Sequence, residues 1–395
     1  MTTSPITVRG VEELIATVPL QMGYQPENSL VLVLLGPPEA QPGSTRAAGA
    51  VRLVARIDLP HGIGAYEEVL IQIGRILRQQ RPAALDVLAY EDDEDATGVL
   101  EAVARICREE EVAVHRLVRV REGAWQQLEP DGTASVWCAV PPIDRVPCAA
   151  DLVLAGARIG PSRAELARWI RDGEAERKVQ LLAEVEDYLD RFLAAVPSVV
   201  TGASAVAGDS AVAGDKPAGV AGGEPAEEPL KARFIERGAL AWRRILDPTP
   251  GGPAVADLPP AILAQALVML WHREFRDGII TWIAPGMLGP GLLPGEVCEP
   301  LVRHLELART GNRALLDRLV ELCALVPDEC APPVLTVTAQ GAWALNSGTV
   351  ANLAIERALE LDPDYHLARL TDQLLQNAVP PPPGPFTRVA SASVP

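Results

Sequence analysis

The sequence predicts an α/β domain over residues 1–150 and an all-α domain over residues 230–378. Three observations carry this. Apolar runs of strand length alternate with helix-period stretches between Leu30 and Val120, as in a sheet covered by helices. Beyond Pro161 only helical spacing recurs. Between the two, residues 199–229 are dominated by Ala, Gly, Val and Ser, side chains too small to build a core.

The elements follow in order. Val8, Val11, Leu14, Ile15 and Val18 form a helical stripe over Thr7 to Val18. Leu30 to Leu35 is a continuous apolar run, as in a central strand buried on both faces. Ala50 to Leu59 alternates and predicts a second strand, antiparallel to the first through the Pro/Gly-rich stretch at residues 36–43. An amphipathic helix over Tyr66 to Gln80, a strand over Leu85 to Tyr90, a helix over Thr97 to Glu109 and a strand over Val112 to Val120 complete the alternation. Turns at Glu122-Gly123 and Pro130-Asp131-Gly132 then lead into Ala124 to Leu128 and Ala134 to Cys138. The expected sheet is mixed and mainly parallel, with an antiparallel meander on its edge.

Ser162-Arg163-Ala164-Glu165 reads as a capping box opening a long connecting helix within residues 151–198. Residues 199–229 read as a flexible linker and contain a tandem duplication of SAVAGD, at Ser204 to Asp209 and Ser210 to Asp215. Helices are expected over Leu230 to Leu246, Pro260 to Trp282, Gly295 to Arg309 and Asn312 to Leu325. Val334 to Leu345 and Thr349 to Leu361 predict a helical hairpin, followed by a helix over Tyr365 to Leu375. Ala351, Ile355, Ala358 and Pro363 match the second half of a tetratricopeptide repeat. Residues 379–395, opening on a proline run, predict a disordered tail.

Composition narrows the function classes. The net charge is −17 and the arginines are scattered, whereas a nucleic-acid binder needs a concentrated cationic footprint. No apolar run reaches the ~20 residues of a membrane span, and the N-terminus lacks the pattern of a signal peptide. The six cysteines show neither CxxC nor zinc spacing and read as reduced thiols. A cytoplasmic protein with no nucleic-acid or membrane partner is expected.

Residues Pro19, Gly23, Pro26 and Ser29 to Val33 form the pattern PxxxGxxPxxSLVLV, and Asp58-Leu59-Pro60 follows the second strand. Near the other end, Trp343 precedes Ala351, Ala354, Ala358, Pro363, Tyr365, Leu367 and Ala368 in the pattern AxxAxxxAxxxxPxYxLA. In these segments the chain resembles a family of uncharacterised actinobacterial proteins, departing at Met22 and Tyr24, where Leu and Phe are usual. The resemblance implies a fold and a bacterial cytoplasm, with no activity attached and no catalytic residues to carry over.

Two readings of function remain. The leading one is a non-enzymatic or regulatory protein whose C-terminal helical domain binds another protein. The rival is a metal-dependent enzyme acting on a small phosphate-containing substrate. Its candidates are Asp58, His61 and Asp92, with Asp58 and Asp92 as oxygen ligands for a divalent cation and His61 as acid or base. The bland account of the same residues is a capping aspartate and a solvated acidic run, Asp92 to Asp95. Ser29 does not sit in GxSxG and precedes a strand, so turn chemistry is expected of it. Trp271, His272, Arg276 and Trp282 invite either a groove or a core. No cofactor is assigned.

Overall fold

The computed structural model describes residues 8, 10–39, 48–60, 63–92, 95–129, 132–154, 157–195, 227–247, 249, 251–284, 293–305, 312–345, 347–377, 379 and 393–394. They fall into two compact units. One is drawn from Met1–Glu165, Gln373–Pro380 and Arg388–Pro395, the other from Leu166–Asp372 and Pro381–Thr387. Residues 199–226 of the expected linker and nearly all of the tail lie outside the described residues, while 227–229, read as the linker's end, open a helix, Glu227–Leu246.

The first unit runs α1 (Gly10–Met22), β1 (Ser29–Glu39), β2 (Ala48–Asp58), α2 (Ile63–Gln80), β3 (Ala84–Tyr90), α3 (Thr97–Glu109), β4 (Ala113–Arg121), β5 (Ala124–Leu128), β6 (Cys138–Ala139) and α4 (Pro147–Leu154). The sheet order is β6-β5-β4-β3-β1-β2, with β7 (Ser393–Val394) beside β2. The sheet is mixed and ends in the expected antiparallel meander, β4-β5-β6. Its parallel content among the described strands is the β3–β4 pair alone, less than the alternation suggested. The crossover through α2 passes over β1, which is inserted between β2 and β3 and runs antiparallel to both.

Alternation along the strands divides the apolar residues between two faces. Val31, Val33, Leu35, Leu88, Val118 and Val120 pack with Leu14, Ile15 and Val18 of α1 and Leu152 of α4. Leu30, Leu32, Leu34, Val87 and Leu117 pack with Ile73 and Leu77 of α2 and Leu100 and Val103 of α3. Every residue from Leu30 to Leu35 is buried because β1 has strands on both sides and helices on both faces. The result is three layers, α/β/α.

The Pro19–Val33 stretch is a helix stop and a strand start. α1 continues through Pro19, one turn further than its apolar stripe predicts, and Gly23 ends it at φ +82°, with its N–H on the Pro19 carbonyl at 2.9 Å. Glycine adopts this left-handed geometry without the Cβ penalty. Asn28, at φ +42°, makes the second turn. Ser29 then enters the sheet opposite both Asp58 and Tyr90.

The second unit is helical. Its elements are α5 (Arg163–Arg171), α6 (Ala175–Ala195), α7 (Glu227–Leu246), α8 (Pro260–Met269), α9 (Arg273–Ile283), α10 (Gly295–Leu305), α11 (Asn312–Leu325), α12 (Ala331–Ala344), α13 (Gly348–Leu361) and α14 (His366–Gln376), with the first residues of α5 and the last of α14 counted in the first unit. Ser162 and Glu165 form the expected capping box, each side chain accepting from the other's backbone N–H at 3.2 and 2.8 Å.

Two stretches expected as single helices are each two. The first breaks at Asp172 to Glu174, where a Cβ on Gly173 would stand 1.8 Å from the Ala324 carbonyl oxygen at the end of α11. The second breaks at His272, whose Nδ1 accepts the Phe275 N–H at 3.3 Å and caps α9. α12 and α13 form the expected hairpin, and α12 is buried from Ala331 through Trp343. A helix buried on every side belongs in a core. The hairpin's first helix therefore does not line an open groove.

Candidate functional site

The carboxyl ends of parallel strands are where open α/β sheets collect ligands. Here that edge is the end of β3 and β4, and the groups gathered at it are charged. Glu91 follows β3 directly, and its N–H donates to the Val120 carbonyl at 2.9 Å. Its carboxylate is completely buried. Arg119 Nε donates to Oε1 at 2.6 Å and Arg119 Nη2 to Oε2 at 3.0 Å. Arg121 Nη2 lies 2.9 Å from Oε2, and the Ala96 N–H, at the start of α3, donates to Oε1 at 2.9 Å. Fork-to-fork pairing of this kind is the strongest ordinary carboxylate contact.

Asp95 completes the group. It accepts from Arg119 Nη2 at 2.7 Å and from the Thr97 N–H at 2.8 Å. The bonds from Thr97 and the nearby arginines hold its carboxyl below the usual range. The Glu91 carboxylate, more than any other group, holds the Arg119 guanidinium firmly charged. Two arginines thus face two carboxylates, and the first N–H groups of α3 are already bonded. The Ala96 and Thr97 N–H groups are thereby taken by carboxylates at the helix N-terminus where a phosphate would otherwise bind. The arrangement locks the β3–α3 connection.

Asp58 and Asp92 lie at this same end of the sheet, at the ends of β2 and β3, but β1 runs between those strands. Asp58 and Tyr90 both stand opposite Ser29, two strand spacings apart, about 10 Å. Asp58 pairs instead with Arg56 Nη2 at 2.5 Å, and Arg56 Nε also donates to Ser29 Oγ at 3.0 Å. Ser29 Oγ donates to the Glu27 carbonyl, the turn chemistry its position predicts. Asp92 is exposed, and His61 lies outside the described residues. Among the described residues no three His, Cys, Asp or Glu side chains gather as a metal set.

The alternation of Arg119 and Arg121 with Val118 and Val120 at the end of β4, beside Glu91, was the available signal for the ion network. It was hidden because Glu91 opens an acidic run that reads as solvated.

A second charged group lies at the opposite end of β3. Pairing steps from Leu85–Val114 to Asp86–Arg116, so His115 is an extra residue in β4. Such a bulge re-aims side chains. His115 Nδ1 comes 3.0 Å from Oδ1 of fully buried Asp86, and Arg116 Nη1 lies 3.8 Å from Oδ2. Neither carboxylate oxygen makes an aligned hydrogen bond among the described residues.

The tryptophan groove does not form. Trp282 is buried and Trp271 half-exposed. His272 caps α9, and burial lowers its pKa. Arg276 bonds Asp277 and the Tyr365 hydroxyl. Burial raises the thiols of Cys107, Cys148 and Cys330 to about 11 and that of Cys323 to about 12, the behaviour of inert packing groups.

What the carboxyl edge lacks in open chemistry, the neighbouring strand edge has in apolar surface. Val136 is 79% exposed and Trp137 43%, immediately before β6. The Arg119 guanidinium lies 5.5 Å from the Trp137 ring centroid, so the ion network supports the indole from below. No helix among the described residues is long and apolar enough to cross a membrane.

No curated protein and no solved structure matches the sequence. The family described as domain of unknown function DUF4192 matches residues 12–382. That range covers both units, and the chain belongs to this family.

Proposed function

We propose that the chain is a non-enzymatic or regulatory cytosolic protein that works through contact with another macromolecule, and that the β5–β6 edge of the α/β unit is the contact surface. The observation that carries this is Val136 and Trp137, large apolar side chains held exposed beside the edge strand β6. Exposed apolar groups on a strand edge are costly to solubility and are usually covered or charged. Support also comes from the matched charges of Glu91, Asp95, Arg119 and Arg121, which occupy the position a ligand would take. A second contact through residues 230–378 would use the half-exposed Trp271, Val302 and Leu370, since α12 is core.

Size analysis of the chain in extract of its native cell tests the reading. The wild type migrates in an assembly larger than the 42.1 kDa of one chain. Val136→Lys loses that assembly and keeps its circular dichroism. Migration as a monomer in extract, or an assembly that Val136→Lys leaves intact, contradicts the reading. The metal-enzyme alternative at Asp58, His61 and Asp92 has its own signature. Under it, Mg²⁺ or Mn²⁺ raises the melting temperature, and the rise vanishes in Asp58→Ala/Asp92→Ala.

A further inference from the structure

The geometry points to a second copy of this chain as the occupant of the β6 edge, in a two-fold symmetric dimer. This inference rests on the contact reading above and names its partner. Backbone geometry gives the first argument. The Val140 N–H donates to the Gly123 carbonyl at 2.8 Å, and Cys138 stands opposite Trp125. Antiparallel ladders alternate bonded and non-bonded pairs, so the N–H and C=O of Ala139, opposite Ala124, point away from β5. β6 is the last strand in the order on this side, and Ala139 is exposed. Two copies related by a two-fold axis through Ala139 would exchange both bonds, Ala139 to Ala139. That contact is self-complementary and closes on itself.

The sequence after Ala139 limits the pairing. Pro141 and Pro142 have no N–H to continue a ladder. At the other edge of the sheet β2 already carries β7. The pairing therefore ends with two copies and does not propagate. With only a short ladder, apolar contact must supply most of the attraction. In the same antiparallel register Trp137 of one copy would lie against Pro141 of the other.

Charge argues for a second copy over a basic foreign partner. The chain carries −17, so two copies repel. Residues 132–160 hold two aspartates, Asp144 and Asp151, and two arginines, Arg145 and Arg158, with no lysine or glutamate. This segment is neutral and charge-poor, as interface cores are. It offers a basic partner nothing to pair with, and it is a place where two acidic copies can meet without adding like charge.

The test uses the purified full chain and light-scattering mass in solution. At about 100 μM, far above a micromolar Kd, the expected mass is twice the 42.1 kDa of one chain. Ala139→Pro removes the outward N–H while fixing φ at that position, and Val136→Lys places a charge on the exposed face. Each change occurs twice in the dimer, so each is expected to weaken it by about tenfold or more, with unchanged melting temperature and circular dichroism. Should Ala139→Pro disturb the fold, Val136→Lys alone decides. A purified chain that stays monomeric, or a dimer that folded variants leave unweakened, overturns the inference. A monomer in purified form together with a Val136-dependent assembly in extract overturns the second copy while leaving the contact reading standing.

Discussion

Two carboxylate settings, Glu91 and Asp58, separate residues that hold the fold from residues that decorate it. Glu91 is fully buried and depends on Arg119 and Arg121. Breaking a buried pair leaves an uncompensated charge, which costs about 3–5 kcal/mol. Arg119→Met should therefore destabilise the first unit by roughly that amount in urea unfolding, moderated by the remaining Arg121. Asp58, two-thirds exposed beside Arg56, belongs to the class of surface pairs. Asp58→Asn should change stability by no more than ~1 kcal/mol. If the two variants cost the same, the ion network is not the lock described here. Composition exposed none of this distinction, because Asp58 and Glu91 both stand at the carboxyl ends of strands. Burial, which depends on β4 lying beside β3 and β1 lying between β2 and β3, is what separates Glu91 from Asp58.

At the scale of elements, caps and close approaches set where helices stop. His272 caps α9 through a neutral Nδ1 and is held below its ordinary pKa by burial. A folded-state pKa below the unfolded value stabilises the protein above the unfolded value, and that stability is lost as pH falls through the folded value. The helical unit should accordingly lose melting temperature as pH drops below about 6.5. His272→Asn, which keeps a capping oxygen, should flatten that dependence, and an unchanged slope in the variant would assign it elsewhere. Gly278 of α9 sits so close to α10 that a Cβ would lie 2.4 Å from Leu301 Cδ1. Gly278→Ala should cost about 1–3 kcal/mol by overpacking, read from urea midpoints. Gly173→Ala should cost more, because its obstacle is the rigid Ala324 carbonyl. Most elements were legible from hydrophobic period. The breaks at Gly173 and His272 were not, since a glycine and a histidine interrupt neither apolar stripe. Only the neighbour at Ala324 and the bond to Phe275 make them boundaries.

For the whole molecule, period and punctuation foretold an α/β unit followed by a helical one, and the family match from residue 12 to 382 spans both. Strand order was out of reach, because nothing in β2 or β3 records that β1 is inserted between them. That one fact holds apart the ends of β2 and β3, where Asp58 and Asp92 lie, with Ser29 between them. The edge meander carrying Val136 and Trp137 was legible, but their exposure was not, since both read as ordinary strand residues. The most direct test of the central claim is amide hydrogen exchange on the full chain, compared between its assembled and dispersed states and with added Mg²⁺. Protection gained at Ala139 and its neighbours on assembly, with none gained at Asp58 or Asp92 on adding Mg²⁺, is the predicted result. Unchanged exchange around Ala139, with protection appearing at Asp58 and Asp92 when the metal is added, would contradict it.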